Sequence, residues 1–594
     1  MGDFLLVGRP AGDPATEALS AELSRLASAE GFEVTELNAH AWLATRGPHP
    51  PRVRRIGGWT LIGDVLDRRA PVLPGSDPAD PFDYERKLLA RFWGRFVGVL
   101  FGPGDQPTAV LRDPSGALEC VVWMHGGLTF AASSALDWLI RRLRPAWRIN
   151  YARVADALRD PLSAAGPLML DGPTPLLPGT VQPLPLPMTA HTLWRPADIA
   201  AASLDDRLPL DDAAVLLRRS VDEAVEGLGG LSAPVAAEIS GGLDSSIVAA
   251  SLVTADVPVA LWINAFGDTP EADERSYVQS LAEALAIVPT CVPHARGPVT
   301  EAMLEGANAD FRPGLNAMDA PHDRDWADRF RAAGATAAIT GKGGDSILLQ
   351  QATPDVFADL WRARGWRALL HEDVARLAAA NETSVWAMVR RARLHDRDGH
   401  RQPLRDAGLL APREEAPPPH PWTRDCDAFG PAKFLQILGV ADSVSRHGPS
   451  LVTEAVDVRH PLCAQPVIEA GLALPAPLLT TGGRSRGLAR QAFADRLPVA
   501  ISERRSKGDM TRIYGRMIVD NLTILRAWLM EGRLAANGVI DPSAADQELT
   551  RERFLWRGKY SAIMVAAAFE AWARVWERRL APISTKTSAS PRAR

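Results

Sequence analysis

The sequence predicts two domains of different class: a sheet-rich α+β domain over residues 1–200, then an α/β domain on a parallel sheet with extra helices over 205–582. Three observations carry this. A chain of 594 residues is too long for one compact core. Up to about residue 160 it reads as short apolar runs punctuated by Gly, Pro and Asp. From Asp211 onward, short apolar runs alternate with segments of helical period.

In chain order, FLLVG at the start, RFVGVLFG at 95–102, TAVLRD at 108–113 and LTFAASS at 128–134 are the strands of the first domain. Nine prolines between Pro161 and Pro196 forbid long helices and favour extended or turn structure. The junction falls near 196–208. Beyond it come a helix over 211–228, a strand over 235–239, a Gly turn and a helix opening at Asp244. The unit repeats with a strand over 257–266, a helix after Glu271 and a strand over 336–340 that ends in a second Gly turn. Such alternation implies a parallel sheet with its binding loops at the strand carboxyl ends. Residues 397–425 are Pro-rich and charged and read as a surface excursion. The last stretch, 583–594, reads as a flexible tail.

Composition narrows the function. Hydrophobic residues at 46% and charged residues at 23% describe a packed protein, and a net charge of −5 leaves no electrostatic footprint for nucleic acid. The start lacks a basic segment ahead of an apolar one, and no stretch is apolar enough to span a bilayer, so a cytoplasmic protein without membrane partners is expected. Cys120, Cys291, Cys426 and Cys463 show no ligand spacing, and buried reduced thiols are expected. Only six lysines stand against sixty arginines, which singles out any lysine inside a motif.

The informative stretch is Ser240-Gly241-Gly242-Leu243-Asp244-Ser245, between a buried strand and a helix start. Two glycines permit close backbone approach to an anion, and the helix N-terminus and serine hydroxyls supply donors. A Gly turn joining strand to helix is also an ordinary structural feature. This loop resembles the pyrophosphate loop of the ATP-pyrophosphatases, and Thr340-Gly341-Lys342-Gly343-Gly344-Asp345 resembles the second signature of their asparagine synthetase branch. Arg112-Asp113-Pro114-Ser115-Gly116 and Phe130-Ala131-Ala132-Ser133 are similar to that branch's glutaminase-type domain, an Ntn-like sandwich. Asp457-Val458-Arg459-His460-Pro461-Leu462 and Arg504-Arg505-Ser506-Lys507 resemble two later motifs.

The departures point to the reaction. Glutamine-dependent members begin Met-Cys, whereas this chain begins Met1-Gly2-Asp3, so the resemblance implies a degenerate glutamine amidotransferase-like domain without a nucleophile. Lys342 stands where asparagine synthetases carry Glu and β-lactam-forming relatives carry Tyr. The pattern is most similar to lasso peptide cyclases, ATP-dependent ligases that adenylate an Asp or Glu side chain of a leader-free precursor peptide, close a macrolactam with its N-terminal amine and release AMP and pyrophosphate. A β-lactam synthetase-like or ammonia-dependent amide ligase and a non-catalytic ATP- or peptide-binding scaffold are the alternatives. The resemblance implies a core peptide as substrate, and a leader peptidase and a leader-binding protein of the same pathway as partners.

It also implies roles for residues. ATP would be held by Ile239, Ser240, Gly241, Gly242, Leu243, Asp244, Ser245, Asn264, Ala265, Phe266, Glu274, Arg275, Gly341, Gly343 and Gly344, and Mg2+ by Asp244 and Asp345. Lys507 would contact the phosphates in both half-reactions, and Lys342 would contact the phosphates, an acidic partner or only its own turn. Asp442, Glu454 and Asp457 are the candidates for orienting the amine or taking its proton, with Arg459 holding Asp457 or a substrate carboxylate.

Overall fold

The computed structural model describes residues 2–581 apart from 71–78, 206, 315–316, 399–407, 446–447, 507 and 558–559. The expected tail over 583–594 and Lys507 therefore lie outside the described residues.

The first part of the chain contributes β1 (Asp3–Gly8), α1 (Pro14–Ala29), β2 (Glu33–Asn38), β3 (Ala41–Arg46), β4 (Val53–Ile56), β5 (Trp59–Asp67), α2 (Asp83–Arg91), β6 (Phe92–Phe101), β7 (Pro107–Arg112), β8 (Val121–His125) and β9 (Leu128–Ala132). Short strand β10 (Arg148–Ile149) follows, and β11 (Leu170–Asp171), β12 (Thr174–Pro175), β13 (Thr180–Pro183) and β14 (His191–Thr192) run through the proline-rich stretch. Twelve of these strands form two six-stranded antiparallel sheets, ordered β12-β8-β9-β1-β3-β2 and β14-β13-β7-β6-β5-β4, and β10 pairs with β11 alone. Phe4 and Leu6 of β1, Val97 and Val99 of β6 and Val110 of β7 share one core between the two sheets. The alternate residues are buried too: Leu5 and Val7 pack outward with Leu23 and Ala27 of α1, and Phe96 and Leu111 pack outward toward the second half of the chain. With both faces covered, these strands read as unbroken apolar runs. β2 (EVTELN) is a largely exposed edge strand whose polar residues hide it from sequence patterning.

The second part opens with α3 (Leu210–Gly229), then β15 (Val235–Glu238), α4 (Leu243–Thr254), β16 (Val259–Phe266), α5 (Arg275–Leu285), β17 (Pro289–Pro293), α6 (Ala320–Ala332) and β18 (Ala337–Ile339). After α7 (Pro431–Ser445), β19 (Asp457–Arg459) completes a five-stranded sheet of order β17-β16-β15-β18-β19. Every pair in it is parallel, as the alternating pattern predicts. β15 is central, and both Gly turns leave the carboxyl ends of adjacent strands, β15 and β18. Helices α8 (Thr511–Asp520) and α9 (Tyr560–Leu580) close the chain, and α9 lays Trp572 and Trp576 into the core that also holds β1 and α1.

Two expectations need correction. The segment over 397–425 is not wholly a surface excursion: Leu409 and Trp422 are buried, Leu410 bridges to Ile540, and Trp422 packs edge-on against Trp194 at 5.4 Å. Proline density signals irregular backbone but not exposure. Among the cysteines, Cys291 is exposed on edge strand β17, whereas Cys120, Cys426 and Cys463 are buried.

Candidate active site

At the end of β15 the chain turns through Gly241 at φ +71°, a conformation glycine adopts without strain, and a Cβ there would sit 2.8 Å from Tyr277. Ser245 Oγ accepts from the Ser240 backbone N–H (3.0 Å) and lies 2.9 Å from Ser240 Oγ, while the Ser246 hydroxyl donates to the Gly242 carbonyl (2.7 Å). The loop is thereby braced with the first N–H groups of α4 at its tip, where a helix leaves donors without intrahelical partners.

The second Gly turn docks on the first. A Cβ on Gly341 would come within 2.5 Å of the Ser245 nitrogen, and one on Gly344 within 2.3 Å of the Asp244 carboxyl carbon. This contact brings Asp244 and Asp345 together: one nitrogen of the Arg486 guanidinium, Nη1, donates to Asp244 Oδ2 at 2.6 Å and to Asp345 Oδ1 at 2.8 Å. Two carboxylate oxygens that converge on a single cationic atom fit the oxygen-ligand demand of Mg2+, with Arg486 as the protein's own stand-in for that charge. Sequence reasoning missed Arg486, 242 residues from Asp244, because nothing local marks it among sixty arginines.

Arg504, part of the Arg504-Arg505-Ser506-Lys507 motif but without a role of its own in the sequence reading, reaches this loop. It donates to the Gly241 carbonyl (3.0 Å) and to Glu274 (2.5 Å), and its guanidinium lies 3.8 Å from the Tyr277 ring centroid. A Cβ on Gly508 would meet the same Glu274 carboxylate. The residues flanking Lys507 thus reach the loop. Glu274 and Arg275 do not hold each other: Arg275 pairs with Asp273 and stacks over Phe266 at 4.0 Å. Asn264 ties the strand ends by donating to the Ile239 carbonyl at 2.9 Å, and its own buried Oδ1 has no partner among the described residues. Such an orphaned acceptor suits an adenine amino group. Ala265 lies beside it on β16, packed against the cluster that contains Trp326.

A cavity of about 1250 Å3 separates the first domain from the carboxyl edge of the parallel sheet. Gly2, Arg112 and Gly116 line it on one side and Thr340, Lys342, Asp442 and Glu454 on the other. Thr340 Oγ1 lies 2.7 Å from His460 Nδ1 and accepts from the Lys342 backbone N–H (3.2 Å). Burial, then the charge of Lys342, holds the His460 imidazole well below its usual range. Gly343, at φ +98°, packs on Cys463.

Asp457 and Arg459 are elsewhere. Asp457 is fully buried, receives Arg95 at 2.9 and 2.7 Å and receives Arg459 at 2.7 Å. Burial by itself would raise this carboxyl, but the arginines hold it well below the usual carboxylate range. Arg459, also fully buried, spends its remaining donors on the Leu228 carbonyl and Ser232 Oγ. Neither lines the cavity: the structure places Asp457 and Arg459 in a buried ion-pair network, apart from Asp442 and Glu454, which do line it. Arg95 also grips Asp64, which accepts from His49 at 2.9 Å, and the network joins β5 and β6 to β19. The three carboxylate and imidazole groups sit close enough for a metal, but the Arg95 guanidinium fills the space between the two aspartates.

The family model for asparagine synthase matches residues 216–574, more than half of the chain and all of the parallel sheet. The chain belongs to the asparagine synthase family. Membership makes it an ATP-dependent amide ligase. No curated protein matches the chain. Among the described residues, no helix is long and apolar enough to cross a membrane.

Proposed function

We propose that the protein is a lasso peptide cyclase: it adenylates an Asp or Glu side chain of a leader-free core peptide and joins that acyl group to the peptide's N-terminal amine, with release of AMP and pyrophosphate. The carrying observation is the cavity. At about 1250 Å3 it exceeds the space that small-molecule sites need, roughly 300–1,000 Å3, and it is lined by Thr340 and Lys342 of the second Gly turn and by Glu238, two residues ahead of the first. A prefolded peptide is a substrate of that size.

Two further features support a reaction whose amine arrives on the substrate. A side chain at position 2 would meet the Arg46 carbonyl at 2.0 Å, which leaves no room there for a nucleophile. Lys342 lines the cavity where asparagine-forming relatives carry an acid. In this reading the braced turn at 240–246 and Lys507 stabilise charge on the departing pyrophosphate, and Arg486 yields the Asp244–Asp345 pair when nucleotide binds. Mg2+, held by Asp244 and Asp345, supplies neutralisation of phosphate oxygens. Asp442 and Glu454 orient the peptide from the side of the cavity that Lys342 also lines. The partners are the core peptide and, upstream, a leader peptidase and a leader-binding protein, in the cytoplasm.

The test is product stoichiometry with a core peptide encoded beside the gene: one AMP and one pyrophosphate per cyclised peptide, and no glutamate from glutamine. ADP as the product, or glutamine hydrolysis coupled to turnover, would overturn the reading.

A further inference from the structure

We propose that Glu238 is the catalytic base that takes the proton of the attacking amine, an inference that rests on the amide-forming reading above. Side chains alternate along β15. Val235, Ala237 and Ile239 pack toward α3 and α4, whereas Ala236 packs toward Trp326 and Phe330 of α6. Glu238 therefore leaves the α6 face of the central strand, two residues ahead of Ser240, and it lines the cavity. It has no hydrogen-bond or ion-pair partner among the described residues. Burial pushes its carboxyl up to about 7. A carboxylate left unpaired on a central strand costs folding free energy that an apolar residue would not; such a group belongs to a task.

The wall behind it is built for proton handling. Asp319, His322, Asp323 and Trp326 recur at helical spacing, and all four line the cavity. Asp319 lies 3.0 Å from His294 Nε2 and accepts the Tyr514 hydroxyl at 2.9 Å. The His322 ring stacks on His294 at 4.0 Å, with its Nδ1 buried and without a partner among the described residues. Asp323 has no partner there either, and burial, with the negative Asp319 nearby, pushes it up to about 7. Burial also raises the Tyr514 phenol, and the negative charges of Asp319, Asp323 and Glu238 all act on it, which places the acids in one electrostatic neighbourhood. The indole N–H of Trp326, a residue only 8% exposed, lacks a partner among the described residues too. An unsatisfied donor and two unpaired acids in one cavity wall point to a polar ligand.

A peptide α-amine, with an ordinary pKa of about 7.7–8.0, is partly neutral at pH 7 and becomes strongly acidic only as its nitrogen bonds to the acyl carbon. In the proposed step that C–N bond forms and the acyl C–O bond to AMP breaks, with the phosphate oxygen keeping the electron pair. The nitrogen's proton passes to the Glu238 carboxylate and from there to cavity water. The cavity that Glu238 lines also carries Asp319, His322 and Asp323 on one wall, Lys342 and His460 beside the second turn, the acids Glu119, Asp310, Asp442 and Glu454, and the cations Arg95, Arg112 and Arg312; His294 and Tyr514 stand behind Asp319.

The experiment uses the full chain with core peptide, ATP and Mg2+, and separates the half-reactions. Hydroxylamine, largely neutral at pH 7, traps the acyl-adenylate as a hydroxamate without a base, while mass spectrometry counts cyclised product. Glu238→Gln should form hydroxamate within about threefold of wild type but cyclised product about a hundredfold more slowly, with loss of the pH limb near 7 and partial rescue by Glu238→Asp. Its thermal midpoint should equal or exceed that of wild type. Cyclisation by Glu238→Gln within about threefold of wild type would overturn the proposal, as would a fall of several degrees in midpoint with both half-reactions lost together. If the wild type forms a linear amide instead of a ring, the macrolactam reading fails, and the ratio of amide to hydroxamate still judges Glu238.

Discussion

Two buried charge clusters on the parallel sheet, one on edge strand β19 and one at the carboxyl end of central β15, have opposite character. At the joint between the domains, Arg95 and Arg459 saturate Asp457, and Arg95 with His49 saturates Asp64. On the cavity wall, Glu238 and Asp323 meet no cation at bonding distance among the described residues, and burial leaves both near 7. Burial is common to both. What differs is compensation, and compensation separates a structural cluster from one kept for chemistry.

The largest effect should come from breaking the joint. Arg95→Ala strands two buried carboxylates and should cost about 3–5 kcal/mol of stability, read by denaturant unfolding, while the folded fraction keeps its adenylation chemistry. A loss below 1 kcal/mol by order of magnitude would show that the joint does not hold the domains together.

Next in size is the nucleotide site. Asp244→Ala or Asp345→Ala should lower pyrophosphate release by about 10²–10³, and the double change should add little, because the pair acts as one ligand set. Relief of the converging carboxylates should leave stability unchanged or slightly higher. Additive losses in the double variant would separate the two residues.

The smallest effect is a pH dependence whose sign distinguishes the clusters. Asp457 is depressed, so its contribution is fully present above the ordinary carboxylate range and is lost only as pH falls through its low folded value. Glu238 is raised from 4.5 to about 7, so the unfolded chain gives up this proton first and stability declines as pH rises between those values. Thermal midpoints measured across that window should slope downward in wild type and less so in Glu238→Gln. An unchanged slope would mean that Glu238 titrates normally.

How much of this was legible in the sequence follows range of interaction. The parallel sheet, both Gly turns and the carboxylates Asp244 and Asp345 rest on local pattern, so they can be read directly. Arg486 meets Asp244 across 242 residues, and Arg95 meets Asp457 across 362; no local signal announces either contact. Asp457 and Arg459 were visible as a motif but not as a buried pair, since an acidic residue two positions from an arginine reads alike in a reaction centre and in a core. Glu238 offered one signal: a lone acid in the apolar run VAAEI, whose strand is buried on both faces. Lysine scarcity singled out the motif residues Lys342, which lines the cavity, and Lys507, outside the described residues; Lys433, in no motif, is equally rare yet is buried and donates to the Leu472 and Leu474 carbonyls, so scarcity alone does not separate chemistry from structure.

The most direct test of the central claim is mass spectrometry of the core peptide incubated with the protein, ATP and Mg2+. The account predicts loss of one water per peptide, one AMP and one pyrophosphate formed with it, and a tandem spectrum in which the N-terminal residue is linked to an Asp or Glu side chain. An unchanged peptide mass, or conversion of the side-chain acid to a primary amide by added ammonia with no ring closed, would contradict it.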